Sequence, residues 1–246
     1  MRYTVDNAIS IMNYRYQESY SKRRGSPMDK SRMKVCLSVQ TLQRLPYYLQ
    51  YLKNAYHRGE KTVSASAMAS ELKLGDVSVR KDLALVSSVS GKPKTGYAVE
   101  ELIRDVETCL GYNNTMDAVL IGVGSLGRAL LGNSEFRRFG LNIVAAFDID
   151  EAVVGGVYHG KKVLPMEELT PLCERMHIHI GIVAVPAEFA QEAADRLVSC
   201  GVRAIWNFAL VKLNVPHEVL VQDENLAASL AILSRHLRER MDREKL

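Results

Sequence analysis

Apolar residues in the first third of the chain recur at helical spacing. Between Val39 and Tyr56 they fall every three or four positions, at Leu42, Leu45, Leu49, Leu52 and Ala55. This spacing predicts an amphipathic helix. Pro46 lies inside the pattern, and because a helix accepts proline most readily in its first turn, we expect the helix to begin near that residue.

Two shorter helical segments follow. Ser64 is a suitable N-cap for the first and Gly75 a suitable stop, while Asp76 can cap the second. The second helix has a predicted buried face at Val79, Leu83 and Val86. Two short helices joined by a turn, with basic residues on the second, are typical of a helix-turn-helix.

Residues 87–99 predict a hairpin with Lys92 and Lys94 at its tip. Together with the two helices, this hairpin predicts a winged helix-turn-helix. A small helical interaction domain is the alternative interpretation.

The pattern changes after a short helix, Val99 to Leu110, and a polar hinge at residues 111–115. From Asp117 onward, short apolar strands alternate with helical segments, and this alternation predicts a parallel sheet covered by helices on both faces. The last segment, Glu224 to Arg243, is an amphipathic helix with an apolar stripe at Leu226, Leu230, Leu233 and Leu237.

These patterns divide the chain into four parts. Residues 1–34 lack periodicity and are interpreted as a basic, mobile arm; residues 35–113 form the winged helix-turn-helix domain. Residues 114–223 form a Rossmann-like domain, and residues 224–246 a C-terminal helix. The predicted fold class is α/β.

Charge is distributed unevenly. Residues 1–34 and 35–99 each carry a net charge of +5, whereas residues 100–113 and 114–246 carry −3 each. A basic front half predicts a polyanionic partner, double-stranded DNA for a winged helix-turn-helix. A solvated charged surface without a partner is the alternative.

Composition excludes several classes of protein. Hydrophobic residues make up 47% and charged residues 24% of the chain, which is ordinary globular usage. The apolar runs are too short for a membrane span, and the first residues do not form a secretory signal. The four cysteines contain no CxxC pair, so we expect neither a metal site nor a disulfide framework, and a cytoplasmic location.

A glycine-rich loop carries the clearest chemistry. Gly122, Gly124 and Gly127 follow a predicted strand and open a helix, and Asp148 ends the next strand 21 positions after the third glycine. Gly122 permits a tight turn, Gly124 leaves room for a pyrophosphate, and Gly127 lets the helix lie close to the sheet. Asp148 would accept hydrogen bonds from the adenosine ribose and repel a 2′-phosphate, which favours NAD(H) over NADP(H). Glycines with a purely structural role are the alternative.

The sequence does not favour an enzyme. A dehydrogenase needs a proton-transfer group over the nicotinamide, and none of the later histidines belongs to a recognisable catalytic pattern. HExxH, GxSxG and P-loop motifs do not occur. We therefore expect binding without turnover. A small NAD-dependent oxidoreductase or a CoA-binding protein is the second hypothesis.

Several separate motifs resemble the Rex-type redox-sensing transcriptional repressors of bacteria. Arg44 to Leu52 resembles the first helix of that family, Val79 to Leu83 its recognition helix, and Gly96-Tyr97 the end of its wing. The stretches that resemble the dinucleotide site of that family are Ile121 to Leu130 and Ala146 to Asp150. The stretches that resemble later strands and helices of that family are Val185-Pro186, Ala193 to Asp195 and Trp206 to Phe208.

The resemblance implies a homodimer that exchanges C-terminal helices, represses genes when NAD⁺ is high, and leaves DNA when NADH accumulates. We expect the nucleotide to be bound by Gly122, Val123, Gly124, Ser125, Leu126, Gly127, Asp148, Val185, Pro186, Asn207 and Phe208. We expect DNA to be bound by Arg44, Ser64, Ser78, Arg80, Lys81, Lys92 and Lys94.

The chain departs from the family pattern in three places. Val86-Ser87 replaces an aromatic-glycine pair, and Pro93 to Tyr97 alters the wing. Leu233 to Leu237 lacks the aromatic residue that normally reaches the nicotinamide of the partner subunit. We expect Arg235 in that stretch to point to solvent, so that NADH would bind only weakly better than NAD⁺. The alternative is that Arg235 enters the pocket of the partner subunit, where its charge would repel oxidised nicotinamide and maintain selection for NADH.

Overall fold

The computed structural model of the protein describes residues 37–244, except residues 90, 92–94 and 114. The predicted arm, residues 1–34, and the predicted wing lysines Lys92 and Lys94 therefore lie outside the described residues. The chain divides into two compact units after Gly111.

The first unit is mainly helical. It comprises α1 (Val39–His57), β1 (Thr62–Val63), α2 (Ala65–Glu71), α3 (Asp76–Val86), β2 (Tyr97–Ala98) and α4 (Val99–Leu110). Its core contains the fully buried Leu45, Tyr48, Leu52, Met68 and Leu83.

Helix α1 begins earlier than its proline suggested. It starts at Val39, where the Ser38 hydroxyl accepts a hydrogen bond of 3.1 Å from the Thr41 N–H. Pro46 lies inside the helix. An internal proline costs about 3 kcal/mol. The cap and the burial of Leu45 and Leu49 on either side of the proline offset that cost, so the expected start near Pro46 is wrong.

The turn between α2 and α3 also differs from expectation. Helix α2 ends at Glu71, and Lys73, not Gly75, takes the left-handed conformation, with φ of 55°. The Leu74 N–H donates to the Ala69 carbonyl, which closes a Schellman motif. Asp76 is the first residue of α3 and does not cap it; Gly75 occupies the cap position.

The hairpin predicted at residues 87–99 is described only in part, because residues 90 and 92–94 lie outside the described residues. Strand β2 pairs antiparallel with β1, so that Thr62 faces Ala98 and Val63 faces Tyr97. The wing strand is thus bonded to a strand that precedes the helix-turn-helix. Gly96 has φ of 79°, and a side chain there would collide with the Val63 carbonyl, so this approach of the two strands requires glycine.

The second unit contains a seven-stranded sheet. Its strands are β3 (Met116–Ile121), β4 (Leu141–Asp148), β5 (Val157–Tyr158), β6 (Lys161–Pro165), β7 (Ile180–Val183), β8 (Ala204–Asn207) and β9 (Leu220–Asp223). Its helices are α5 (Ser125–Gly132), α6 (Glu135–Arg138), α7 (Leu169–Met176), α8 (Ala187–Ser199) and α9 (Leu226–Glu244), with a 3₁₀ turn at Met166–Glu168.

Strand order in this sheet is β5-β6-β4-β3-β7-β8-β9, and every pair is parallel except β5–β6. Alternate residues of β3 enter two separate cores: Val119 and Ile121 on one face, Ala118 and Leu120 on the other. The predicted α/β fold with a Rossmann-like sheet is confirmed. The β5–β6 hairpin was not predicted.

Candidate functional sites

A cleft of about 360 Å³ opens at the carboxyl ends of β3, β4 and β7. Strand β3 lies between β4 and β7, so the chain crosses in opposite directions on its two sides. In open α/β sheets, ligands bind at such a switch point. The cleft is lined by residues that include Gly122, Val123, Gly124, Asp148, Val185 and Pro186.

The three glycines of the loop meet different surroundings. Gly122 has φ of 96°, and an added Cβ would lie 2.6 Å from the Ala184 carbonyl oxygen. A Cβ at Gly127 would collide with the Gly122 carbonyl, which keeps α5 close to the loop. Around Gly124, in contrast, a Cβ would meet nothing within 4 Å. The loop is therefore closed toward the sheet and open toward the cleft.

The amino terminus of α5 also suits an anion. Gly124 occupies its cap position, and no side chain provides a capping hydrogen bond there. The first backbone N–H groups of a helix have no partner within the helix and carry the positive end of its dipole. A phosphate at this point would supply the missing acceptors.

Asp148 ends β4 at the rim of the cleft. Its Oδ2 accepts a hydrogen bond of 2.6 Å from the Val123 N–H, and its Oδ1 accepts bonds of 2.8 and 3.0 Å from the Ile149 and Asp150 N–H groups. These three donors fix the orientation of the carboxylate. The remaining lone pairs of its oxygens can accept hydrogen bonds from ribose hydroxyls.

The structure does not bring every predicted nucleotide residue to the cleft lining. Ser125 and Leu126 lie exposed in the first turn of α5. Asn207 is fully buried and donates to the Val211 carbonyl and to Asp223 Oδ1, so its side chain holds β8 to β9 and the connection between them. Phe208 packs against Trp206 with ring centres 4.8 Å apart.

Sequence reasoning missed other residues that line the cleft: Arg128, Ile149, Phe189 and Arg196. Arg128 follows the last glycine of the loop and Ile149 follows Asp148, so adjacency in sequence was an available signal. Phe189 and Arg196 are seven residues apart on α8, two helical turns on one face.

Helix α3 of the first unit has one buried face and one exposed polar face. Val79, Leu83 and Val86 are buried as predicted. Ser78, Arg80 and Lys81 are exposed on the other side. The guanidinium of Arg80 pairs with Asp76 at 2.9 Å and donates to the Ser66 hydroxyl at 3.0 Å, which orients a side chain that is 62% exposed.

A buried acid, Asp82, joins α3 to α1. It accepts hydrogen bonds from two guanidinium nitrogens of Arg44 at 2.7 and 3.0 Å, from Tyr48 at 2.8 Å and from Thr41 at 3.0 Å. Burial opposes ionisation of Asp82, but these bonds outweigh it, so the pKa of its carboxyl lies below the ordinary value. Burial, reinforced by Asp82, raises the pKa of Tyr48 to about 12.

Arg44 has a structural partner in this cluster. Its side chain is 27% exposed and forms a forked ion pair with Asp82, so it ties the first helix to α3. The predicted contact of Arg44 with a DNA phosphate stays a prediction. Ser64, also predicted to meet DNA, is the N-cap of α2 and accepts a bond of 3.0 Å from the Ala67 N–H.

Two further features are absent from residues 37–244, outside the gaps given above: a metal-binding cluster and a membrane-spanning helix. No group of three or more histidine, cysteine, aspartate or glutamate side chains that could hold a metal ion occurs there. No helix in the same part of the chain is long and apolar enough to cross a membrane.

Two family models match the chain. Residues 37–84 match the family described as putative DNA-binding protein N-terminus, and residues 113–211 match the family described as CoA binding domain. The first match covers α1 to α3 up to Ala84, and the second contains the glycine loop and Asp148.

Similar proteins span nearly the whole of the described chain. The protein is 42% identical over 193 residues to the redox-sensing transcriptional repressor Rex of Treponema denticola, which covers 78% of this chain and 91% of that one. It is 39% identical over 197 residues to the protein of the same name from Bacteroides fragilis, covering 80% and 89%.

Solved structures of RSP, a Rex-family repressor, are similar as well. The complex of RSP with β-NAD⁺ and operator DNA has a TM-score of 0.79 and 32% identity, and covers 86% of this chain and 97% of RSP. The complex with β-NADH has a TM-score of 0.75 at the same identity and covers 86% and 99%. The resemblance found in the sequence motifs is confirmed, and the chain belongs to the Rex family of redox-sensing transcriptional repressors.

Proposed function

We propose that the protein represses transcription by binding double-stranded operator DNA, and that NADH releases it more effectively than NAD⁺. The observation that carries this proposal is the presence, in one chain, of an exposed basic helix-turn-helix face and a glycine-loop cleft with an acidic rim. RSP, a similar protein, has been solved with NAD⁺ and operator DNA and with NADH.

Residues 35–113 form the proposed DNA-binding domain. Helix α3 enters the major groove, where Arg80 and Lys81 can donate hydrogen bonds to guanine or to phosphates and Ser78 to either. Lys92 and Lys94 hold the flanking backbone, and the basic arm of residues 1–34 adds a non-specific attraction. Ser64, the N-cap of α2, remains a proposed DNA contact.

Residues 114–223 form the proposed NAD(H)-binding domain. The α5 terminus and Gly124 receive the pyrophosphate, and Asp148 receives the adenosine ribose, with Val185 and Pro186 on the opposite wall of the cleft. The nucleotide supplies the redox chemistry to be sensed. The protein residues bind and orient it without turning it over.

Residues 224–246 form the proposed dimerisation helix. On α9 the large apolar side chains of Leu230, Ile232, Leu233 and Leu237 are each more than half exposed. Exposed apolar area of this kind is stabilised when a second molecule covers it. Arg235 is 75% exposed and pairs with Glu239 on its own helix at 2.6 Å.

A mobility-shift assay tests this function. The full-length protein is incubated with its own upstream DNA and titrated separately with NAD⁺ and NADH. We expect a sequence-specific complex that NADH disperses at lower concentration than NAD⁺. A complex indifferent to both nucleotides would contradict the proposal.

The CoA binding domain match supports a second candidate, a CoA-linked protein, and the cleft would equally suit a small oxidoreductase. Calorimetry with CoA in place of NADH tests the first. Loss of NADH absorbance over a panel of carbonyl substrates tests the second, and the repressor proposal predicts no turnover.

A further inference from the structure

The side chain of Arg128 is held over the glycine loop by two contacts. Its Nε donates a hydrogen bond of 2.9 Å to the Val123 carbonyl. Its guanidinium carbon lies 4.5 Å from the centre of the Tyr158 ring, in cation–π contact. These contacts fold the cation back from α5 onto the loop, where it lines the cleft.

The backbone N–H and the carbonyl of Val123 are therefore both hydrogen-bonded. Its N–H donates to Asp148 at 2.6 Å, and its carbonyl accepts from Arg128 at 2.9 Å. Because the Val123 N–H is already used, an anion in the cleft depends on the N–H groups at the start of α5 and on the two arginines of the lining, Arg128 and Arg196. Arg196 is paired with Glu192 at 2.9 Å, which leaves Arg128 as the candidate.

The charge balance in the cleft indicates the role of Arg128. A helix terminus offers the equivalent of about half an elementary charge, whereas a pyrophosphate carries two negative charges. A guanidinium adds one full positive charge and presents N–H groups in the planar fork that suits phosphate oxygens. Arg128 uses only its Nε in the hydrogen bond to Val123, so its two terminal nitrogens take no part in that bond.

We propose that Arg128 binds the pyrophosphate of the nucleotide and that Tyr158 acts as its positioning residue; the assignment rests on the function proposed above. Tyr158 belongs to the β5–β6 hairpin, so that hairpin supports the phosphate site through its ring.

Calorimetry with one ligand that lacks phosphate and two that contain a pyrophosphate tests this assignment. Adenosine, ADP and NADH are titrated into the wild type, Arg128→Ala, Arg128→Lys and Tyr158→Leu. The matched control is Arg138→Ala, which removes an equally charged, exposed residue from α6 in the same unit. Melting temperatures verify that each variant is folded.

For Arg128→Ala we expect ADP and NADH to bind about 10- to 100-fold more weakly, as for the loss of a charge-assisted hydrogen bond. Adenosine affinity should change less than about twofold, since it lacks phosphate. Arg128→Lys should recover part of the loss, Tyr158→Leu should fall between, and Arg138→Ala should match the wild type.

Equal weakening of adenosine and NADH in Arg128→Ala would show that the residue only shapes the loop, and unchanged NADH affinity would exclude any contact; either result overturns the assignment. A wild type that binds ADP but not NADH contradicts the proposed function, while the adenosine and ADP titrations still decide the role of Arg128. A wild type that binds none of the three ligands contradicts both.

Discussion

Two aspartates, each fixed by several donors, have different roles at the residue scale. Asp148 lies at the rim of the cleft and accepts only backbone N–H groups. Asp82 is 3% exposed and accepts only side-chain donors. The first can still meet a ligand, whereas the second is enclosed and serves the packing of α3 on α1.

Replacing Asp148 by alanine should weaken NADH binding and abolish the preference for NADH over NADPH. The change removes both the acceptor for the ribose hydroxyls and the charge that repels a 2′-phosphate. Affinities for the two nucleotides are measured by calorimetry, with Asp195→Ala on α8 as a control. Undiminished discrimination against NADPH in Asp148→Ala would contradict the role given to this residue.

Asp82→Asn should destabilise the first unit by about 2–4 kcal/mol, because it leaves the Arg44 charge and the Tyr48 hydroxyl poorly paired in a buried place. Urea unfolding measures the lost free energy of unfolding. Hydrogen exchange in peptides from α1 and α3 shows whether the loss lies in the first unit. The exposed Glu100→Gln provides the same change of charge and should have little effect.

The same cluster predicts a pH dependence. Folding lowers the pKa of Asp82 below its ordinary value of 3.8, so its contribution to stability is complete above that value. The contribution is lost as pH falls through the lower folded pKa. Wild-type stability should therefore decline more steeply below about pH 4 than that of Asp82→Asn. Parallel acid profiles would show that folding does not lower the pKa of Asp82.

At the scale of elements, periodicity predicted most helices and the central strands. The short β5–β6 hairpin escaped because each strand is brief and its turn is His159-Gly160, both with positive φ, instead of the usual asparagine-glycine. The start of α1 was wrongly predicted near Pro46 because the packing of this helix outweighs the one hydrogen bond that the proline removes. Arg44 and Asp82 form a pair 38 residues apart in sequence, and nothing local in the sequence indicates that partnership.

Helix α3 should read DNA through its exposed side. Arg80→Ala and Lys81→Ala should each weaken operator binding and leave NADH affinity unchanged. A lost base contact should cost about 1–3 kcal/mol, and a lost phosphate contact should flatten the salt dependence. Fluorescence anisotropy at several salt concentrations separates these cases, with Arg58→Ala as the control. Wild-type affinity in both variants would remove α3 from the interface.

The apolar stripe of α9 makes a separate prediction. Leu233→Glu places a charge among side chains that a second molecule is expected to cover, so it should shift the protein from dimer to monomer. Light scattering after size-exclusion chromatography measures the mass, and Arg243→Glu, on the last turn of the same helix, is the control. A wild-type monomer, or a dimer unaffected by Leu233→Glu, would contradict dimerisation through this face.

At the scale of the whole molecule, repression requires that nucleotide and DNA binding influence each other. A useful switch needs a coupling free energy of about 1–3 kcal/mol, which corresponds to roughly 5- to 150-fold in affinity. Such coupling is reciprocal by thermodynamic necessity. In a dimer with two nucleotide sites, the factor by which saturating NADH weakens operator binding must equal the product of the factors by which operator DNA weakens NADH binding at the two sites.

Reciprocity is the most direct test of the central claim. The affinity of the full-length protein for NADH is measured with and without saturating operator DNA, and its affinity for the operator with and without saturating NADH. A scrambled DNA of equal length is the control. We predict that saturating NADH lowers operator affinity by more than about fivefold, that this factor equals the product of the factors by which operator DNA lowers NADH affinity at the two sites of the dimer, and that NAD⁺ produces a smaller factor. Affinities for NADH that are identical with and without operator DNA would contradict the account.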